Sequence, residues 1–134
     1  MKRGDITLLL GAACVAACTI QARECPPGED TGSTETLYFG TAAPGAVVSE
    51  ADWNEFLRNV VSPAFPAGFT TWDAQGQWRN PSGEIAREAS HVVQVVHRRE
   101  ERVDDAIAQV ISYYRKRFSQ ESVLRVSAAA CFAF

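Results

Sequence analysis

Asn80-Pro81-Ser82-Gly83 constrains the fold more than any other segment of this chain. Proline at the second position and glycine at the fourth mark a type I turn. Both flanks look like strands. Phe69 to Arg79 holds Thr70, Thr71, Trp72 and Trp78, residue types that suit a pleated, half-buried surface. After the turn a strand starts at Glu84 and runs to His97, with a break anticipated near Ala89 and a core of Val92, Val93, Val95 and Val96. The middle of the chain is therefore a hairpin. Gly76, inside its first arm, predicts a bulge.

A helix is predicted on each side of that hairpin. Ser49 opens the first, with Asp52 three residues on in a capping-box-like position. Trp53, Phe56, Leu57, Val60 and Val61 recur at helical spacing, and Pro63 predicts the stop. The second spans Arg102 to Phe118, with Val103, Ile107, Val110, Ile111, Tyr114 and Phe118 on one face. Asp104 and Asp105 in its first turn, and Arg115, Lys116 and Arg117 in its last, complement the helix dipole. Leu37-Tyr38-Phe39, ending at Gly40, reads as the first strand, and Val123 to Val126 as the last. The order β-α-β-β-α-β is that of a ferredoxin-like α+β sandwich: an antiparallel sheet with both helices on one face. Its first and last strands are antiparallel neighbours. Valines on both sides of the third strand predict an apolar uncovered face, which pairing with a second copy into a dimeric α+β barrel would bury.

The first residues, MKRGDITLLLGAACVAAC, have a different purpose. Lys2 and Arg3 precede an apolar run from Ile6 to Ala17. As a helix that run covers only about 18 Å, too short for a hydrocarbon core of about 30 Å and suited to a signal peptide. Val15-Ala16-Ala17-Cys18 resembles the lipobox of bacterial lipoproteins, which makes Cys18 the lipidation site. Two or more acyl chains, at about 0.8 kcal/mol per buried CH₂, give stable anchoring. Two alternatives stay open here: a lipid on Cys14, or an ordinary signal cut after Ala17 or Ala22. Asp5 is unusual in such a basic start. Thr19, where an aspartate would favour the inner membrane, leans toward an outer-membrane anchor facing the periplasm if the cell is Gram-negative.

The organisation that follows is a signal peptide over 1–17, a flexible tether over 18–35 and one α+β domain over 36–134. The tether assignment rests on Pro26, Pro27, Gly28, Gly32 and polar neighbours, and such a chain spans roughly 20–25 Å. Removing Lys2, Arg3 and Asp5 from 13 basic and 16 acidic residues leaves 11 against 15. With no basic surplus, nucleic acid is not an expected partner. Once Cys14 and Cys18 are set aside, Cys25 and Cys131 remain, a disulfide candidate in an oxidising envelope. The reduced pair is the alternative.

Several segments resemble a family of uncharacterised bacterial proteins known only as a domain of unknown function. They are Thr36-Leu37-Tyr38-Phe39-Gly40, Gly76-Gln77-Trp78-Arg79, Arg87-Glu88 with Ser90, and Arg117 to Val126, with Cys131 fitting the terminal pattern. The resemblance spans Glu35 to Phe134. It implies export, assigns no activity and leaves function open.

Candidate chemistry is sparse. His91 and His97 lie about 20 Å apart along a strand, too far to share a zinc ion. No metal and no cofactor are expected. Arg117, Gln120, Glu121 and Ser122 form the densest polar cluster. Read as a site, Glu121 is a general base or acceptor and Arg117 grips an anion. Read structurally, Arg117 and Gln120 satisfy helix-end carbonyls, and Glu121 anchors Arg79 or Arg125. A register flip at Gly76 would turn Gln77 and Arg79 toward a groove, with Trp78 as a stacking platform; the plainer reading is an exposed hairpin. Tyr38 joins these as a candidate ligand contact. The leading functional expectation is a non-catalytic domain that binds a ligand or partner. The competing one is a small periplasmic enzyme near Glu121 and Arg117.

Overall fold

The computed structural model describes residues 25–43, 46–98 and 102–134. The signal peptide, Cys14, Cys18 and the first part of the tether lie outside the described residues. Four long strands and two helical segments make an α+β domain. Strand β1 is Asp30–Gly40. Helix α1 covers Glu50–Phe56 and continues through a π turn, Leu57–Val61, into a last turn, Ser62–Ala64. Strands β2, Thr70–Arg79, and β3, Ile85–Arg98, form the central hairpin. Helix α2 is Asp104–Arg117, and strand β4 is Leu124–Phe132. Ala42–Ala43 pairs with Ala46–Val47 in a minor ladder beside β1.

The sheet order is β2-β3-β1-β4, and every neighbouring pair is antiparallel. Pleating then sorts the side chains. Odd-numbered residues of β1 and β3 face the helices: Leu37, Phe39, Val93 and Val95 join Trp53, Phe56, Val61, Phe65, Ile107, Val110, Tyr114 and Phe118 in one core. Phe39 is its centre, with ring centroids 4.7 Å from Tyr114, 5.5 Å from Phe56 and 5.6 Å from Trp53. Each such buried side chain contributes about 1.5–3 kcal/mol. The Tyr114 hydroxyl keeps a partner by donating to the Gly40 carbonyl at 3.0 Å. Even-numbered residues face the other way: Tyr38, Trp72, Trp78, Val92, Val96, Leu124 and Val126. Among the described residues, no helix covers that side.

The turn behaves as its sequence dictates. Gly83 has φ +87° and its N–H donates to the Asn80 carbonyl at 2.9 Å. Four expectations need correction. The register runs unbroken from Thr70 opposite Gln94 to Arg79 opposite Ile85, so Gly76 makes no bulge and β3 does not break at Ala89. A tight turn joining two arms of matched register leaves no extra residue to insert. Pro63 does not stop the helix at its own position. The preceding π turn, in which the Ser62 N–H reaches the Leu57 carbonyl, carries the chain on to Ala64. Finally, β1 begins at Asp30, so residues 30–35 are strand and not tether. Composition misses this because Asp30 to Glu35 is polar, while β4 and β3 supply its hydrogen bonds from both sides.

Cys25 and Cys131 form a disulfide, with Cα atoms 5.5 Å apart across 106 residues of sequence. It joins the approach to β1 to the exit of β4. Among the described residues no helix is long and apolar enough to cross a membrane.

Candidate functional site

One end of the uncovered sheet face opens into a groove of about 760 Å³. Tyr38 and Gly40 come from the end of β1, Gly76 and Trp78 from β2, and Glu88 and Ser90 from β3. The wall is the segment Ser119 to Ser122, with Leu124 of β4 beside it.

That wall is held by the way α2 ends. Ser119 adopts φ 52°, and the Gln120 N–H donates back to the Arg115 carbonyl at 3.0 Å. This is a Schellman-type closure, in which glycine is the usual left-handed residue. Ser119 holds that strained conformation while lining the groove. The Gln120 amide then donates to the Ala42 carbonyl at 2.6 Å and ties the turn to the chain leaving β1.

Gly40 lies at the floor. A Cβ there would collide with the Glu88 carboxylate, so only glycine lets that side chain lie across the end of β1. Burial pushes the Tyr114 hydroxyl well above the ordinary tyrosine range, and the Glu88 charge nearby adds to the shift. Tyr114 therefore stays protonated as the donor to Gly40. Trp78 is 53% exposed, a large aromatic surface left open over the groove. Hydroxyls from Tyr38, Ser90, Ser119 and Ser122, and carboxylates from Glu88 and Glu121, add to the lining, which among the described residues includes no lysine, arginine or histidine.

Four predicted site residues thus meet in one place: Tyr38, Trp78, Glu121 and Ser122. Three do not. Gln77 and Arg79 fall on the opposite parity of β2; Gln77 accepts from Arg87 at 3.3 Å, and Arg79 donates to the Gly83 carbonyl at 2.5 Å. Arg117 turns away to Asp52 at 3.3 Å and lies over the Phe118 ring. Neither Arg79 nor Arg125 is anchored by Glu121. Glu35 accepts from Arg125 Nε at 2.7 Å, and Asp104 from its Nη2 at 2.7 Å. Sequence reasoning missed Glu88, Ser90 and Ser119. The alternation of Glu88 and Ser90 with Val92 along one strand was the signal available for two of them.

The histidines are occupied elsewhere. His91 stacks on Trp53 at 4.4 Å and meets Asp73 at 2.6 Å, beside a second cleft of about 360 Å³ between α1 and β2. His97 meets the Arg98 carbonyl through Nδ1 at 2.8 Å. No group of three or more metal-binding side chains occurs among the described residues.

Comparisons with known proteins give the domain a family and a fold. The sequence model of a family described as "Protein of unknown function (DUF3574)" matches residues 34–134. No curated protein matches the chain. Among solved structures, a phage SAM lyase in complex with S-methyl-5'-thioadenosine is similar, with TM-score 0.53 and 13% identity over 87% of this chain and 97% of that one. The same description without ligand, a phage SAM lyase in the apo state, gives TM-score 0.49 and 12% identity over 84% and 96%.

Proposed function

We propose that this chain, which belongs to the DUF3574 family of proteins of unknown function, is an envelope lipoprotein whose domain binds a small ligand in the groove beneath Trp78. We read its strand order as ferredoxin-like. The groove is the observation that carries the reading. Its size lies within the range of small-molecule sites, and it pairs an open aromatic face with a few convergent polar groups. Two carboxylates and, among the described lining residues, no basic side chain favour neutral or cationic ligands over anions. Trp78 supplies a surface for a flat ring or a cation.

Export and anchoring rest on the segment Val15-Ala16-Ala17-Cys18. A diacylated Cys18 places the domain at the envelope, in an outer membrane facing the periplasm if the cell is Gram-negative. An oxidising compartment is also where a disulfide such as Cys25–Cys131 persists. An enzymatic pairing of Glu121 with Arg117 is less favoured, since Arg117 is committed to Asp52 outside the groove. Trp72, Leu124 and Val126, all on the uncovered face and 40–59% exposed, favour a second property: pairing of two copies through their sheets.

The test is a titration of tryptophan emission in the chain from Thr19 onward. S-methyl-5'-thioadenosine, bound by the phage protein of similar fold, is one probe; nucleosides, sugars and amino acids are the others. A saturable change that is lost in Trp78→Ala and weakened in Glu121→Gln supports the groove. A saturable change that survives both substitutions contradicts it.

A further inference from the structure

The disulfide moves the point at which the anchor meets the domain. Cys25 is bonded to Cys131, next to the end of β4, so only seven positions of sequence separate Cys18 from the disulfide. Whatever its conformation, the stretch from Cys18 to Cys25 reaches at most about 25 Å. The same end of the domain exposes aromatic surface. Phe134 is 99% exposed, and its ring lies 5.4 Å from that of Phe132. Both line a hollow of about 150 Å³ with Ala67, Val96, His97 and Arg98.

Strand register places the groove at the other end. Asp30 pairs with Phe132 at the disulfide end, whereas Tyr38 pairs with Leu124 and Gly40 with Ser90 at the groove. Eight residues of β1 separate the two levels, about 26 Å along the strand. The turn over residues 80–83 lies farther still in the same direction.

We infer that the Cys131–Phe134 end of the domain rests on the lipid surface, with Phe132 and Phe134 in the headgroup layer and the groove facing away from the membrane. The occupant of this aromatic end is the bilayer that holds the acylated Cys18, because the short connection allows little else to intervene. Asp30 and Arg98 at this end pair with each other at 2.6 Å, so that pair offers no free charge and the contact we infer is carried by the aromatic rings. The inference rests on the lipoprotein reading of Cys18.

The experiment uses the full acylated chain in vesicles of phosphatidylethanolamine and phosphatidylglycerol, and again in phosphatidylcholine. A benzoylphenylalanine replaces Phe134 in one sample and Ser82, in the far turn, in another. Palmitate labelling of wild type against Cys18→Ala is run alongside. The expected result is labelling that depends on Cys18, with phospholipid crosslinked several-fold more at position 134 than at 82 in both vesicle types. Labelled protein with equal crosslinking at the two positions overturns the orientation and leaves the anchor standing. Crosslinks from position 134 to protein instead of lipid also overturn it. Absence of labelling removes the anchor itself.

Discussion

Glu35 lies on the helix side of β1, only 4% exposed, and holds three elements together. It accepts from Arg125 Nε and from the Ser127 hydroxyl, and His97 Nε2 stands 3.7 Å away. Burial works to raise its pKa. Hydrogen bonds from Arg125 and Ser127, with the Arg125 charge, outweigh burial and hold the carboxyl below its ordinary 4.5. A carboxyl shifted down on folding contributes stability that is full above its unfolded pKa and is lost as pH falls through the folded value. The melting temperature is therefore expected to drop as pH is lowered below about 4.5, and Glu35→Gln should flatten that drop while costing about 1–3 kcal/mol at neutral pH. Thermal melts across pH 3–7 check it; an unchanged acid limb in Glu35→Gln contradicts the assignment. Ser119 gives the opposite sign. Relieving its left-handed backbone in Ser119→Gly should stabilise the domain by about 0.5–1 kcal/mol, and a lower melting temperature would refute the strain. Neither residue was legible in sequence. Glu35 reads as tether because its partners lie about 60 and 90 positions away, and a left-handed serine carries no local signature.

At the scale of elements, periodicity carried most of the fold. The spacing of Trp53, Phe56 and Val61, and of Ile107, Val110 and Tyr114, placed both helices on the core they occupy. The Asn80–Gly83 turn located the hairpin. What failed was what local pattern does not encode. The start of β1 at Asp30 depends on β4 pairing with it from the far end of the chain. The flat register at Gly76 depends on β3 opposite. The candidate groove is half legible for the same reason: Tyr38, Trp78, Glu121 and Ser122 line it, while the parity of β2 sends Gln77 and Arg79 to the other side. The Cys25–Cys131 bond yields the prediction at this scale. Closing a loop of 106 residues contributes up to about 4–5 kcal/mol in the chain-entropy model. Reduction, or Cys131→Ser, should lower unfolding free energy by about 2–5 kcal/mol in urea melts. A change below 1 kcal/mol would mean that β1 and β4 hold without it.

The whole molecule is polar in its layout. The disulfide and the exposed Phe134 mark one end, and the groove marks the other. The uncovered sheet face as a whole, groove end included, is four strands of about ten residues each, on the order of 600 Å² by strand spacing and rise. Two such faces together approach the lower bound of a standard interface. Light scattering on the chain from Thr19 onward is expected to give twice the monomer mass at micromolar concentration. Monomeric mass throughout would leave the face open. The central claim is that the groove beneath Trp78 is the binding site, and backbone amide chemical shifts test it most directly. Titrated with S-methyl-5'-thioadenosine, adenosine and a panel of sugars and amino acids, the domain is predicted to show saturable shifts centred on Tyr38, Gly40, Trp78, Glu88 and residues 119–122. Saturable shifts centred instead on Trp53, Asp73 and His91 at the second cleft, or no saturable shift with any probe, would contradict it.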